Sequence, residues 1–580
     1  MGDQHQQRNL IIVTILSAVV LFGWSFITKY WLPTTPPPTH QAKPQPKSEL
    51  APDVAADTVL RPVNQVLAET PRLPISTASL EGSINLKGLR LDDLTLIRHR
   101  ETLARNSPAV RLFSPAGTQD AWFTGFGWSG ENVTLPGADS LWKADSDKLT
   151  SEHPVNFYWD NHQGQIFRLT LSVDHDYMFN ATESVINHSN NPIIIRPYVL
   201  TNRQGVFKTP SSWTLHTGPI GVFNGSVNYH IAFSDLDKAN GNGLQNNTQG
   251  GWIGFSDKYW LSALAPHNQN MAIDTNFRSG ANQHYQADFT VAPVVVPAGK
   301  TASLSVDVFA GAKEVRILDR YRDHLRLPHF DKAIDWGWFA IIEKVFFYYL
   351  DWLFLHVGNY GLAIILMVFT IRALIFPIAN KQYASMASMR RLQPKMQAVR
   401  ERYKNDDAKM RQELVTLYQK EKVNPFAGCL PMFIQFPIFI ALYKTLLVTI
   451  ESRHQPFIGW IKDLSAPDPL TPFNLFGLLP FTPPHFLMIG VLPIILGITM
   501  WLQFRASPQQ LDPTQQQIMS FLPLVSVIFM APLAAGLQVY YIFNNLVSLA
   551  QMTWLQHRHA TPEERQDRAE KKRLSKKKAK

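Results

Sequence analysis

The spacing of apolar and polar positions divides the chain into three regions. Residues 10–27 are uncharged and almost wholly apolar, and with Tyr30, Trp31 and Leu32 they can just span a bilayer core of about 30 Å at about 1.5 Å per residue. Residues 75–325 show short runs of β-branched and aromatic residues separated by Gly, Asn and Asp clusters. Longer apolar stretches dominate from residue 336 onwards. This pattern predicts a membrane anchor, a large β domain and a helical membrane region.

The N-terminal apolar stretch has two interpretations. A cleaved signal peptide normally has a shorter apolar core, a basic start and a cleavage site of small residues. Here Lys29, Tyr30 and Trp31 follow the stretch, as they would at a membrane interface. We therefore favour a retained transmembrane anchor over residues 1–32. Residues 33–55, rich in Pro, Gln and Lys, predict an extended linker.

The remaining chain predicts one all-β domain and five further membrane spans. The strand spacing over residues 56–328 suggests a sandwich. Residues 329–353 mix aromatic with charged residues, which is typical of an amphipathic helix at a membrane interface. The expected spans then lie near residues 354–378, 429–450, 485–504, 518–532 and 533–555. The predicted fold class is a multi-pass α-helical membrane protein with a large extracytoplasmic all-β domain.

Charge is segregated along the chain in a way that predicts orientation. Residues 28–360 carry a net charge of −3, whereas residues 379–422 and 557–580 each carry +6. Short loops rich in Lys and Arg stay in the cytoplasm. Six spans with both termini inside would place a hairpin over residues 379–427 and a basic tail over 557–580 in the cytoplasm, and residues 33–353 mainly in the periplasm. Because orientation alone explains these basic segments, they do not by themselves identify a partner.

The basic segment between the second and third spans predicts a helical hairpin with an apolar seam. Apolar residues, including Met396 and Tyr418, recur near helical spacing on both sides of Asn405 and Asp406, which suit a turn and a helix N-cap. Pro394 predicts a kink in the first helix. The seam is expected to serve packing within the hairpin.

Arg372 is a charge within the second predicted span. It lies about 9 Å from the centre of a span centred near residue 366, which leaves roughly 6 Å to the boundary, so it could extend to the headgroups. The second to sixth spans contain no acidic residue, however, and polar side chains recur in the neighbouring spans. Because buried polar groups need partners or water, a water-filled cavity beside Arg372, open to the cytoplasm, is the second interpretation. Such a cavity would attract an acidic peptide segment or a lipid phosphate.

The sequence gives little indication of a catalytic site or a metal site. The lone Cys429 excludes an intramolecular disulfide and a cysteine-cluster metal site, and no GxxxxGK[ST] sequence is present. We predict no catalytic residue, metal or cofactor. Two alternatives are a transporter, which would require repeated halves and intramembrane acids, and a membrane-anchored carbohydrate-active protein. The residues that could form a carbohydrate site are Asp174, His175, Asp176 and Glu183.

Several stretches resemble the YidC family of membrane protein insertases of Gram-negative bacteria. They are SMASMRRLQPKMQAVRERY, LYQKEKVNPFAGCLPMFIQFPIFIALY, DPTQQQIMSFLPLVSVIF and GLQVYYIFNNLVSLAQ, within residues 330–555. The segment DLSAPDPLTPFNLFGLLPFTPPHFLMIG is similar to alphaproteobacterial members. The resemblance implies a β-supersandwich domain and a protein that inserts and helps fold nascent inner-membrane proteins, alone or with the Sec translocon. It also implies that the last four spans, over residues 428–556, form a hydrophilic groove with the second span.

The resemblance further implies the positions of the substrate groove. The intramembrane arginine of the family matches Arg372. The substrate-contacting positions match Gln435, Phe436, Phe439, Tyr540, Tyr541 and Asn545. The hairpin and basic tail match regions linked to the ribosome, and we expect anionic lipids rather than specific DNA as a further partner. Lys444 departs from the family pattern, and we expect its side chain to extend outward.

Overall fold

The computed structural model describes residues 60–209, 211, 215–239, 243–337, 339–404, 406–421, 430–476, 478–479, 489–506 and 513–559. The predicted anchor over residues 1–32 and the linker over 33–55 lie outside the described residues. Most of the basic tail, from residue 560 onwards, and Cys429 lie outside them as well.

The first described region is built almost entirely of strands. In chain order the strands are β1 Arg72–Ser76, β2 Leu80–Asn85, β3 Arg90–Arg100, β4 Ala109–Phe113, β5 Trp122–Glu131, β6 Lys143–Ala144, β7 Val155–Asp160, β8 Gln165–Val173, β9 Met178–Asn187, β10 Ile193–Gln204, β11 Gly218–Phe223, β12 Ser226–Asn228, β13 Leu244–Gln249, β14 Trp252–Ser256, β15 Trp260–Pro266, β16 Ala272–Ser279, β17 His284–Thr290, β18 Val294–Val296 and β19 Thr301–Ala312.

These strands form two large antiparallel sheets. The ten-stranded sheet has the order β1-β2-β3-β5-β10-β17-β16-β13, with β4 paired to β3 and β18 paired to β10. The nine-stranded sheet has the order β12-β11-β14-β15-β19-β9-β8-β7-β6. Side chains of both sheets enter one continuous hydrophobic core. The prediction of a large β domain with a sandwich architecture is therefore confirmed.

The alternation of apolar and polar residues explains why these segments are strands. In β8 every second residue from Gln165 to Val173 is buried, so one face of the strand enters the core. Aromatic side chains such as Phe167 and Phe179 are fully buried there. Burying one such side chain contributes about 1.5–3 kcal/mol, so the packed aromatic core supplies much of the stability of the domain.

Helices dominate the chain after β19. The described helices are α1 Val63–Ala68, α2 Phe233–Lys238, α3 Val315–His324, α4 Ala340–Val357, α5 Tyr360–Arg402, α6 Asp407–Lys420, α7 Leu430–Val448, α8 Val491–Ala506, α9 Pro513–Met530 and α10 Ala535–Arg558. Short 3-10 helices lie at Ala281–Gln283, Phe330–Ala333, Ile450–Ser452 and Pro472–Asn474. Residues of α4, α5, α7, α8, α9 and α10 share a second hydrophobic core.

The boundaries of the second predicted span differ from those in the structure. Residues 354–357 belong to the end of α4, because Gly358 adopts a left-handed conformation with φ of 70° that ends this helix. Asn359 then caps α5 by accepting a hydrogen bond from the Leu362 N–H at 3.0 Å. At its other end α5 does not stop near residue 378 but continues through Pro377 and Pro394. The span and the first hairpin helix are therefore one element of 43 residues.

The hairpin contains the predicted helix cap and the predicted apolar seam. Asp406 caps α6 by accepting the Lys409 N–H at 3.0 Å. The Tyr418 hydroxyl lies 3.8 Å from the Met396 sulfur, so the two helices meet along the apolar seam. This seam is used for packing within the hairpin.

Helix length supports one membrane-spanning segment more strongly than the others. Among the described residues, the stretch Tyr360–Ala384 in α5 is long and apolar enough to cross a membrane. Shorter apolar stretches occur at Ile434–Val448, Val491–Ala506 and Ser520–Met530. Their length alone does not establish further spans.

Polar contacts join the β domain to the helices. The Val315 N–H donates to Glu451 Oε1 at 2.8 Å, and Arg316 Nε donates to Asp351 Oδ2 at 2.7 Å. Apolar residues from both sides also share the core of the β domain, including Phe347, Val448 and Ile450. The two parts therefore meet through a packed junction.

Lys444 lies in this junction, and the expectation that it extends outward is wrong. The residue is only 5% exposed, and its Nζ donates to the Asp335 carbonyl oxygen at 2.7 Å. Nζ also lies 3.5 Å from Asp335 Oδ1. Because a buried cation requires a partner, the acidic segment that precedes α4 explains why α7 tolerates a lysine at this position.

Candidate functional site

The candidate site is centred on Arg372 of α5, which faces α10. Its side chain is half-buried, and both Nε and Nη2 donate to Asn544 Oδ1, at 2.9 Å and 2.6 Å. Asn544 is itself only 5% exposed. The amide oxygen therefore fixes one edge of the guanidinium inside the helix bundle.

Arg372 forms no ion pair with a carboxylate within the part of the chain that the structure describes. A guanidinium has five N–H donors, and the contacts to Asn544 use two of them. The phenols of Tyr540 and Tyr383 lie near the guanidinium. Arg372 thus keeps its positive charge without a neutralising group among these residues.

Gln435 of α7 and Tyr540 of α10 face each other across the bundle. Gln435 Nε2 donates to the Tyr540 hydroxyl at 3.4 Å. Tyr540 is fully buried, whereas Gln435 is half-buried. Tyr540 also lies near Arg372, so polar groups of α5, α7 and α10 are close together here.

An aromatic cluster adjoins these polar groups. The rings of Phe439 and Tyr541 meet edge to face with centroids 5.5 Å apart, and those of Tyr540 and Tyr541 with centroids 5.3 Å apart. Tyr443 stacks on Phe439 from the same helix. Such pairs hold the rings in fixed orientations. The cluster therefore forms a rigid apolar surface beside the polar groups.

Two of the residues implied by the family resemblance lie apart from the guanidinium. Asn545 is buried and its Nδ2 donates to Thr499 Oγ1 of α8 at 3.2 Å, so it joins α8 to α10. Phe436 is 58% exposed on the surface of α7. The structure thus places Arg372, Gln435 and Tyr540 in one neighbourhood, with Phe439 and Tyr541 beside them.

Sequence reasoning did not select Asn544 as a site residue, although it is the partner of Arg372. The available signal was helical spacing, because residues four apart share a face of a helix. Tyr540 and Asn544 have this spacing, as do Tyr541 and Asn545. The first pair faces α5, and the Asn545 side chain reaches α8 instead.

The possible carbohydrate site in the β domain is not assembled. His175 is largely exposed and lies 3.6 Å from Glu152, whereas Glu183 is completely buried. Asp174 accepts the Tyr321 hydroxyl at 2.5 Å, and Asp176 forms ion pairs with Arg98 and Arg320. The two aspartates therefore have structural partners, and the four candidates do not converge.

Glu183 borders a mostly apolar cavity of about 330 Å³ between the sheets. Its carboxyl oxygens are buried and make no hydrogen bond to another described residue. Burial raises the pKa of Glu183 well above its usual range. Within the described residues there is also no cluster of His, Cys, Asp and Glu suited to a metal ion.

Family models match nearly the whole described chain. The model for the 60Kd inner membrane protein matches residues 352–563, and the model for the YidC periplasmic domain matches residues 72–349. The boundary between them falls within α4, beside the packed junction between the β domain and the helices.

Solved structures give only distant likenesses. A crystal structure of an active YidC insertase with its first transmembrane domain resolved is 16% identical, with a TM-score of 0.35, and the match covers 83% of this chain and 91% of that chain. A galactose mutarotase related enzyme from Lactobacillus acidophilus is 8% identical, with a TM-score of 0.28, covering 41% of this chain and 97% of that chain. Likenesses at this level do not assign a fold or a function.

Curated relatives are similar over their full length. The membrane protein insertase YidC of Zymomonas mobilis is 86% identical over 579 residues and covers 100% of both chains. The protein with the same name from Bradyrhizobium diazoefficiens is 40% identical, covering 95% of this chain and 96% of its own, and that from Rickettsia canadensis is 40% identical, covering 94% and 98%. This chain therefore belongs to the YidC family of membrane protein insertases, inner membrane proteins with a periplasmic domain.

Proposed function

We propose that this protein inserts newly synthesised inner-membrane proteins into the bilayer and assists their folding, using a hydrophilic groove around Arg372. In this proposal the chain is multi-pass, with both termini in the cytoplasm and the β domain in the periplasm. Full-length similarity to proteins named membrane protein insertases supports the activity. The net charges of −3 for residues 28–360 and +6 for each basic segment support the orientation.

The observation that carries the groove proposal is the guanidinium of Arg372, held by a neutral amide. A carboxylate partner would cancel its charge, whereas Asn544 fixes its position and leaves the charge available. In a site of low dielectric constant an exposed edge of this cation attracts an acidic segment strongly. A client chain with acidic residues beside its apolar segment would therefore be recruited to the groove.

The mechanism is physical rather than covalent. The polar groups of Arg372, Gln435 and Tyr540 would stabilise the polar flank of the client within the depth of the bilayer. The aromatic cluster and the exposed ring of Phe436 would contact its apolar segment. That segment then partitions into lipid, driven by its own transfer free energy. No nucleotide or metal cofactor is required for this step.

Partner binding is proposed at the cytoplasmic side. The hairpin and basic tail would contact the ribosome and anionic lipids, because each segment carries a net charge of +6. We also propose that the protein works either alone or with the Sec translocon, which would deliver client segments to it.

Insertion in proteoliposomes tests the role of the guanidinium. We expect Arg372→Ala to reduce insertion of clients with acidic translocated segments roughly ten-fold, the effect of losing about 1.4 kcal/mol of stabilisation. Arg372→Lys should be milder, because it retains a positive charge but not the two-donor contact. Clients with uncharged translocated segments should depend less on the residue.

Arg505→Ala is the matched control for this experiment. Arg505 is an exposed arginine in the last turn of α8, where its guanidinium lies over the Trp501 ring. The control removes the same net charge from the same region of the molecule. Equal insertion of acidic clients by Arg372→Ala and wild type, or an equal loss with Arg505→Ala, would contradict the proposal.

A further inference from the structure

A turn with an exposed apolar surface precedes α8. Its described residues are 471–476, 478 and 479. Leu478 is 82% exposed, more than most large apolar side chains of the molecule. The other large apolar side chains exposed in this turn are Phe473, Leu475, Phe476 and Leu479. A contiguous apolar surface of this kind usually marks an interaction site.

The backbone of this apolar turn is hydrogen-bonded within itself. The Phe476 N–H donates to the Thr471 carbonyl oxygen at 3.0 Å, and the Leu479 N–H donates to that of Asn474 at 3.1 Å. The Leu475 and Leu478 N–H groups also find acceptors inside the turn. A satisfied backbone lowers the cost of leaving water for an apolar environment.

Two residues at the tip adopt an unfavourable backbone conformation. Leu475 has φ of 50° and Phe476 has φ of 59°, in the left-handed region that residues with a Cβ atom usually avoid. This conformation directs consecutive large side chains away from the protein, since both are more than half exposed. Strained positions of this type often serve binding.

Asp468 fixes the position of the apolar turn relative to the N-terminus of α8. Its Oδ2 accepts the Leu492 N–H at 2.7 Å in the first turn of α8, and its Oδ1 accepts the Trp460 indole N–H at 3.0 Å. The Val491 N–H also donates to the Leu470 carbonyl oxygen at 2.9 Å. The apolar turn is thus attached to the N-terminal end of an apolar helix, next to a half-exposed tryptophan of the kind found at membrane interfaces.

The charge pattern indicates which partner covers this surface. Between Asp468 and Arg505 the sequence contains no Asp, Glu, Lys or Arg, so the turn and α8 up to its last turn form one uncharged stretch. A surface that binds a protein partner in water normally has a polar or charged rim around its apolar centre. An uncharged surface continuous with a membrane helix fits the acyl chains of a lipid leaflet instead.

We propose that the apolar turn inserts the side chains of Phe473, Leu475, Phe476, Leu478 and Leu479 into the extracytoplasmic leaflet of the bilayer. This inference rests on the proposed membrane orientation of α5 and α8. The inserted turn anchors the loop between α7 and α8 in lipid. Because Asp468 links the turn to the N-terminus of α8, insertion also fixes the depth of that helix beside the groove.

Site-directed spin labelling of the full chain tests this proposal. The lone cysteine is removed by Cys429→Ala, and Leu478→Cys carries a nitroxide after reconstitution into vesicles of phosphatidylethanolamine and phosphatidylglycerol. Collisions with oxygen report lipid, and collisions with a water-soluble nickel complex report solvent. We expect the label at Leu478 to collide more often with oxygen, and less often with the nickel complex, than a label on a water-exposed surface does. Phe476→Cys provides a second position in case the first variant does not fold.

Two control labels separate the outcomes. Leu141→Cys, at a side chain 60% exposed in the β domain, should remain in water. Leu374→Cys, at a side chain 74% exposed on α5, should report lipid. If Leu374 reports lipid while both turn positions report water, the inserted turn is overturned and the proposed function stands. Protection from both reagents would show that protein covers the turn, and a solvent signal at Leu374 would overturn the membrane orientation itself.

Discussion

Asn544 gives Arg372 a fixed position without removing its charge. Both guanidinium contacts go to a single amide oxygen, and the amide belongs to a helix that is buried against α5. The neighbouring Asn545 has the same chemistry but bonds to Thr499 of α8. At the residue scale, a shift of one position along α10 therefore decides whether an asparagine holds the Arg372 guanidinium or bonds to α8.

A double-mutant cycle tests this difference. We expect Asn544→Ala to reduce insertion of acidic clients several-fold, because the guanidinium loses its anchor and can extend toward the headgroups. Combined with Arg372→Ala, the same change should cause little further loss. Asn545→Ala is the matched control and should be additive with Arg372→Ala. Insertion in proteoliposomes measures both cycles, and additive effects at Asn544 would show that its contact with Arg372 is not functional.

The element scale is dominated by α5, which carries the candidate site and continues into the hairpin. Contacts at its far half explain why it does not end with the apolar stretch. Phe376 packs against Trp554 of α10 with ring centroids 5.7 Å apart, and Asn380 lies 2.9 Å from a ring nitrogen of His559. These contacts fix the first hairpin helix relative to the C-terminal end of α10. Movement of the hairpin is therefore expected to reach Arg372 through one continuous helix.

The hairpin cap can be tested separately from the groove. Asp406→Ala should lower the local stability of α6 by about 1 kcal/mol, because the Lys409 N–H loses its acceptor. Hydrogen exchange of the α6 amides measures this change, expected as roughly five-fold faster exchange for about 1 kcal/mol. Asp406→Asn retains a capping oxygen and should exchange like wild type. Unchanged exchange in Asp406→Ala would contradict the assigned cap.

The β domain and the helices are joined by buried acidic groups at the scale of the whole molecule. Burial raises the pKa of Glu451 to about 8, even though its Oε1 accepts the Val315 N–H. Burial also raises the pKa of Glu343 to about 8, opposed by the attraction of Lys444. Each carboxyl has one buried oxygen without a partner among the described residues. The junction is therefore most stable when both groups are protonated.

This arrangement predicts that stability falls as the pH rises. An unfolded glutamate loses its proton near pH 4.5, whereas the folded groups keep theirs up to about pH 8, so the free energy of unfolding decreases between these values. Glu451→Gln removes one titrating group and should reduce that decrease by roughly half, since Glu343 remains.

Thermal unfolding of the purified protein between pH 5 and pH 9 measures the effect. Glu152→Gln changes an exposed carboxyl of the β domain and should leave the pH dependence as it is in wild type. A melting temperature of wild type that rises over this interval would contradict the assignment of buried, protonated acids.

The sequence by itself determined the features that depend on local pattern. Short runs of β-branched and aromatic residues between Gly, Asn and Asp clusters predicted the β domain, because such side chains fit the half-buried surface of a sheet. Long apolar stretches predicted the helices of the C-terminal region, and the absence of acidic residues from those stretches identified Arg372 as unusual. The Asp406 cap was also predictable, since a cap involves residues within one helical turn.

Only the tertiary structure decided the contacts between residues that are distant in the chain. Asn544 lies 172 positions from Arg372, and Asp335 lies 109 positions from Lys444, so no local pattern could pair them. The same holds for the extent of α5, because a helix continues past its apolar stretch when other helices pack against it. Local propensity sets which elements form, whereas the packing of distant elements decides which charges are held, buried or left available.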